Sequence, residues 1–286
     1  MDAVLCRRFR PEEYHRRFLE QGLRPDGRAA RERRRCSLQR GPVTCAHGSA
    51  SVRLGRSAAV AGVRAEVAEA VQDTPARGLV TVSVELPRLC AAAFRDRQRT
   101  AGVSAFLSSA LSEVLGSPDV LDPLQLDIRE DELCWCLHVS VVCVSYDGNA
   151  FDLCLLAALA ALEDTSLPAL ALAGGPQPEG VPGRLCEAAP GSQEVVSAAR
   201  RVRLKARPLP VTFARLPGDA WVLDPSAAEE ELGASASLCL LGERWRVCHQ
   251  GGGAGAERFL SELMPAAREA AAALEVLLDG SGPEDC

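Results

Sequence analysis

A strand that hands a tight turn to a helix N-terminus is a ready-made anion site, because the first helical N–H groups are unpaired and point outward. The sequence builds one such unit from Cys134 to Leu162, CWCLHVSVVCVSYDGNAFDLCLLAALAAL. It reads as a buried strand, a polar turn at Tyr146-Asp147-Gly148-Asn149, and an apolar helix. Phosphate chemistry here asks for small residues in the turn and a cation or hydroxyl at the first helical positions. The chain offers Ala150, Phe151 and Asp152. Apolar bulk and a carboxylate stand where an anion needs positive charge. The scaffold of a phosphate site is present and its chemistry absent, and an ordinary strand–turn–helix unit leaves the same trace.

The rest of the composition narrows the classes. With 286 residues, 47% hydrophobic and 24% charged, the chain has ample material for a globular core. No apolar run is long enough for a membrane helix. The first ten residues carry arginines without an apolar signal core, so no secretory signal is expected and the chain is read as intracellular. The 12 cysteines include no C-x-x-C pair, and His15, His47, His138 and His249 are scattered. Reduced thiols are expected, with no metal and no cofactor. The first forty residues are rich in arginine, a sign of a nucleic-acid arm, yet the net charge is −6 and Lys205 is the only lysine. Arginine carries the positive charge everywhere, so a compositional bias explains the arm as well.

Elements follow in order. Pro11 to Glu20 predicts a short amphipathic helix, and Arg24 to Arg28, RPDGR, a turn whose arginines reach neighbouring carboxylates or carbonyls. Strands are predicted over Cys36–Gly41, Gly48–Leu54, Ser57–Glu66 and Leu79–Leu86, where Val80, Val82 and Val84 share a face. Arg88 to Arg99 reads as a polar loop and Thr100 to Leu115 as a helix. Gly174 to Gln193 is a patternless Gly/Pro-rich loop. Beyond it, strands are expected at Arg201–Lys205, Val211–Leu216, Trp221–Asp224, Leu238–Leu241 and Arg244–Cys248, then a glycine turn at 251–253. A helix over Glu257–Asp279 ends the pattern, with Pro265 as a kink or a boundary between two helices. Strands then helix, twice over, gives an α+β chain of two similar halves. The division is residues 1–30 as N-terminal helix and arm, 31–172 as first half, 173–193 as flexible loop and 194–286 as second half.

This order of signals resembles the RNase PH family, and within it the non-catalytic ring subunits of the eukaryotic RNA exosome. The resemblance is carried by EYHRRFLEQGLRPDGR (Glu13 to Arg28), GSASVRLGRSAAVAGVRAEV (Gly48 to Val67), VELPRLC (Val84 to Cys90), YDGNAFDLCLLAALAAL (Tyr146 to Leu162) and WVLDPSAAEEE (Trp221 to Glu231). It implies an RNase PH-like fold of two βαβα halves, similar to the second domain of ribosomal protein S5. It also implies partners: other RNase PH-like subunits in a hetero-hexameric ring, S1/KH-type cap subunits, RNA through the channel and associated hydrolytic nucleases. It implies work in nucleus, nucleolus and cytoplasm, in RNA processing and decay, including that of rRNA and mRNA.

Active members of the family split RNA from its 3′ end with inorganic phosphate. They bind the phosphate after the Asp-Gly turn through an arginine and a hydroxyl, and use acidic residues in a later segment. Carried over, the resemblance puts the degenerate phosphate site at Asp147, Gly148, Phe151 and Asp152, with Phe151 at the arginine position and Asp152 at the hydroxyl. Degenerate acidic positions fall at Asp224 and Glu230, with the partner acid near Ala236. No catalytic residue is expected. Arg95, Arg97 and Arg99 fall where the family lines its channel with RNA-facing arginines. The alternatives are a phosphorolytic 3′ exoribonuclease with phosphate held by other residues, and a free-standing RNA-binding regulator, which net acidity and 4% aromatic content oppose.

Overall fold

The computed structural model describes residues 8–69, 79–129, 133–172, 185–187, 195–218, 220–250 and 256–280. Helix α1 (Pro11–Glu20) leads into strands β1 (Cys36–Arg40), β2 (Gly48–Leu54), β3 (Ser57–Glu69) and β4 (Leu79–Glu85). After helix α2 (Arg97–Leu115) come β5 (Asp127–Arg129), β6 (Leu133–Ser145) and helix α3 (Ala150–Asp164). The order in the first sheet is β1-β2-β3-β6-β4, with β5 on β6; only β4 and β6 run parallel. Short strands β7 (Ser166–Leu167), β8 (Leu170–Leu172), β9 (Leu185–Glu187), β10 (Val195–Ser197) and β11 (Arg200–Arg201) join the halves. The second sheet holds β12 (Pro208–Leu216), β13 (Ala220–Leu223), β14 (Ala234–Leu241) and β15 (Arg244–Gln250) in the order β13-β12-β14-β15. The one-turn helix α4 (Ala227–Glu230) precedes β14, and α5 (Ala256–Leu278) ends the described chain.

Helix α3 explains the architecture. Phe151 through Leu162 are all buried, and a helix apolar on every side must lie inside a core. It packs on β2 and β3 of the first sheet and on β12 of the second. The alternation predicted for β4 is clean, with Val80, Val82 and Val84 buried and their neighbours exposed. The free edge of β4 is closed by a side-chain ladder. Ser104, Ser108 and Ser112, four residues apart, lie on one face of α2. Ser112 Oγ accepts the Val82 N–H at 2.9 Å and Ser108 Oγ accepts the Val84 N–H at 2.9 Å, while Ser104 Oγ donates to the Val84 carbonyl.

Several boundaries differ from the sequence reading. Helix α2 starts at Arg97, not Thr100, because Asp96 caps it: its carboxylate accepts the Gln98 N–H at 2.9 Å. A 3₁₀ turn, Ala92–Arg95, breaks the expected loop. Only Arg200–Arg201 form a strand in the 201–205 region, because the next N–H groups bond to loop carbonyls and to the Gln125 side chain. Leu185–Glu187 pairs with β8 inside the supposed loop; the rest of 174–193 falls largely outside the described residues, as does the glycine turn at 251–253. Pro265 neither ends nor divides α5, which continues through it; the proline removes one backbone donor and the turns on either side persist. Nine of the described cysteines are free thiols.

Candidate functional site

The turn before α3 is shaped by close backbone approach. Gly148 has φ +87°, and a Cβ there would lie 2.5 Å from the Pro225 carbonyl oxygen and against Ser226 and Ala227 backbone atoms. The turn is therefore pressed onto the loop that enters α4. Asn149, also left-handed at φ 58°, is the N-cap of α3, its side chain accepting the Asp152 N–H at 3.3 Å. Its own N–H donates to Glu230 Oε1 at 2.8 Å and its amide Nδ2 to Asp224 Oδ1 at 2.7 Å. The helix N-terminus thus faces two carboxylates of the second half.

The residues placed at the degenerate phosphate positions do different things. Phe151 is 5% exposed and belongs to the core. Asp152 is fully buried. Its carboxylate accepts the Thr212 hydroxyl at 2.6 Å and the Thr212 N–H at 3.3 Å, and pairs with Arg33 at 3.2 Å. Asp152 is thus the acid of the first turn of α3, and its hydrogen bonds to Thr212 tie that turn to β12. Burial raises its carboxyl above the ordinary range, against the opposing pull of Arg33 and Thr212. Asp147 lies partly buried at the turn, its N–H donating to Ser57 Oγ at 2.9 Å.

The acidic positions are also engaged. Asp224 is buried and holds φ 51°. Arg34 grips it through Nε at 2.9 Å and Nη2 at 2.7 Å, its backbone N–H adds a bond at 2.9 Å, and Arg28 approaches at 3.4 Å. Burial alone raises the Asp224 carboxyl, but the bonds and charge of Arg34 outweigh it and hold the group below the usual carboxylate range. Glu230 accepts the Tyr146 hydroxyl at 2.5 Å besides the Asn149 N–H. Here burial wins, and the carboxyl is raised. Ala236, near the expected second acid, is buried and paired with Phe213.

Four arginines thus converge on the seam. Arg24, 1% exposed, binds Glu229 through Nε at 2.9 Å and again through Nη2, and donates to the Leu223 carbonyl at 2.8 Å. Glu229 is consequently lowered, the guanidinium overcoming burial. Arg28 binds Asp26 at 2.7 Å and the Asp224 carbonyl at 3.2 Å, so the RPDGR arginines reach carboxylates and carbonyls as their sequence suggests. Sequence reasoning missed Arg33, Arg34, Asn149, Tyr146 and Thr212. Only Asn149 had a local signal, as a cap residue directly before an apolar run. A cavity of about 440 Å³ opens beside the seam, lined among others by Asp26, Asp147, Glu229, Arg34 and Arg56. Three carboxylates meet two guanidiniums there, and that of Arg34 is already saturated. The arrangement ties the two halves together. Arg95 and Arg97 are exposed, the latter in the first turn of α2 beside Arg99.

Residues 32–168 match the RNase PH profile, the 3′ exoribonuclease family, domain 1. The chain is 32% identical to the exosome complex component rrp43 of Schizosaccharomyces pombe over 57% of its own length and 60% of that protein's, less than two thirds of this relative. It is 32% identical to the exosome complex component Rrp42 of Methanothermobacter thermautotrophicus over 73% of this chain and 71% of that protein. Its fold is similar to a chain of the Archaeoglobus fulgidus exosome with RNA bound to the active site, with a TM-score of 0.75 at 24% identity over 92% of this chain and 96% of that one. An archaeal exosome core gives a TM-score of 0.74 at 23% identity, covering 97% and 98%.

Proposed function

This chain belongs to the RNase PH family, and on that premise we propose that it is a non-catalytic structural subunit of an RNA exosome ring. Its work is to pair with other RNase PH-like subunits, complete the channel and seat an S1/KH-type cap subunit. RNA passes through to associated hydrolytic nucleases, and exposed Arg95 and Arg97 add weak positive charge along its path.

One observation supports the silent reading above the others. The capping and charged groups that line the turn into α3 are engaged inside the chain: Asn149 caps the helix, Glu230 takes the Asn149 N–H, and Arg34 is spent on Asp224. A phosphate placed there would have to displace a buried ion pair and sit beside two carboxylates, which costs several kcal/mol on the order of a broken buried pair.

Native purification of the tagged chain from its own cells, with partners counted by mass spectrometry, tests the assembly. The expected outcome is one copy each of several RNase PH-like and S1-domain proteins. Recovery of the chain alone overturns the proposal. Incubation of the purified chain with RNA and phosphate tests the chemistry, and release of nucleoside diphosphates would return it to the phosphorolytic enzymes. Fluorescence imaging of the tagged chain checks the expected nuclear, nucleolar and cytoplasmic distribution.

A further inference from the structure

The segment RRVRLKARP, residues 200–208, places a cation at every second position from Arg201 through Arg203 and Lys205 to Arg207. Its backbone is held from both sides. β11 pairs with β7, Val202 N–H donates to the Thr165 carbonyl at 3.0 Å, and Lys205 N–H to the Val120 carbonyl at 2.8 Å. The Gln125 side chain accepts the Arg203 N–H at 2.9 Å and donates to the Arg203 carbonyl at 2.7 Å. In extended backbone alternate residues repeat at about 6.6–6.8 Å on one side. Arg201 and Arg203, whose backbone is held by these bonds, form the two teeth of a short comb before the chain bends at Lys205 and Ala206.

The comb lines a groove of about 930 Å³ that runs to the end of α5 and has apolar surface from the half-buried Leu204 and Leu240, with Leu209 and Leu278 in the core beneath. Arg207 is committed to Glu163 at 2.6 Å and to Asp279, and Lys205 pairs with Asp122 at 3.3 Å. Arg201 and Arg203 are exposed and have no ion-pair partner among the described residues. Two open guanidiniums beside leucines call for a ligand that is anionic and apolar at once.

That requirement separates the ligand classes. Single-stranded nucleic acid is held by stacking bases on aromatic side chains, and among the described residues no aromatic side chain lines this groove. An extended peptide with carboxylates at alternate positions repeats its charge at the same spacing as the comb. Its acidic side meets the open arginines while its apolar side meets the leucines. We propose that this groove binds an extended segment of a partner protein in which acidic and apolar residues alternate. It lies apart from the seam at α3 and does not depend on the ring proposal.

The probe is a fluorescein-labelled peptide, Gly-Glu-Leu-Glu-Leu-Glu-Leu-Glu-Gly, titrated with the purified full chain and read by anisotropy. Saturable binding is expected, weakened between about 50 mM and 300 mM salt. The R201E/R203E variant should bind about tenfold or more weakly, with R53E/R64E on the open face of the first sheet unchanged. A block peptide, Gly-Glu-Glu-Glu-Glu-Leu-Leu-Leu-Gly, should bind less well. Should R201E/R203E lower the melting temperature, R201Q/R203Q carries the same comparison. Absent binding, equal affinity of variant and parent, or equal affinity of the two peptides overturns the proposal. Preferential binding of oligouridine that is lost in R201E/R203E also overturns it and makes the groove a nucleic-acid site.

Discussion

Arg34 and Asp224 hold each other through two side-chain hydrogen bonds of 2.9 and 2.7 Å across 190 residues of chain. Arg34 comes from the run before β1 and Asp224 from the end of β13, so the pair fastens the two halves at the turn where α3 begins. Its remaining donors reach the carbonyls of Asp147 at 2.7 Å and Gly148 at 3.2 Å. A guanidinium so placed organises the turn from inside.

Asp224→Ala leaves Arg34 and Arg28 facing a buried void of charge. The expected loss is about 3–5 kcal/mol, read by urea denaturation of the purified chain. A change below about 1 kcal/mol would show that the pair is dispensable.

Acidity should act on the seam in two directions. Asp224 and Glu229 titrate below the ordinary carboxyl range in the folded chain. The unfolded chain therefore takes up protons first as pH falls, and the stability these groups contribute, complete above about pH 4–5, drains away on the acid side. Asp152 and Glu230 are raised by burial. Folding keeps their protons where the unfolded chain has lost them, so they oppose folding as pH rises above that range. The melting temperature should peak under mildly acidic conditions. Asp224→Asn should flatten the acid limb and Glu230→Gln the other; parallel curves for all three proteins would refute the assignment.

Thr212→Val keeps the shape of the side chain and removes the hydroxyl that serves Asp152 at 2.6 Å. A cost of about 1–3 kcal/mol follows from the unsatisfied buried oxygen. Thr212→Ser should recover most of it, and calorimetry of the three proteins measures the difference.

Gly148→Ala asks a side chain to adopt φ +87° and to occupy space held by the backbone of residues 225–227. About 2–5 kcal/mol should be lost, seen as a lower melting temperature and poor soluble yield. An unperturbed melt would mean the turn can withdraw from the α4 loop freely.

The first sheet was readable because its signals are local. Val80, Val82 and Val84 announce a half-buried strand, and Asp147-Gly148-Asn149 announces a turn into a helix. The uniform apolarity of Leu153 to Leu162 is a local signal of the same kind. The seam was not readable for the opposite reason. Arg33 and Arg34 sit in RERRRC, where abundant arginine looks like composition, and their carboxylates lie 119 and 190 residues away. Asp152 illustrates the limit best. Its identity was visible, but its direction depends on Thr212 in a strand of the other half, which no local periodicity encodes.

The serines of α2 have a consequence for assembly. Serine is a mediocre helix former, so three of them at four-residue steps make sense only through what they touch. They impersonate a neighbouring strand along β4 and leave stray chains no backbone to copy. A sheet finished in this way has a blind flank. Along Val82 and Val84 a neighbour's backbone finds its partners already taken, whereas β1 ends the other side of the sheet, so the subunit carries a direction even before a neighbour arrives.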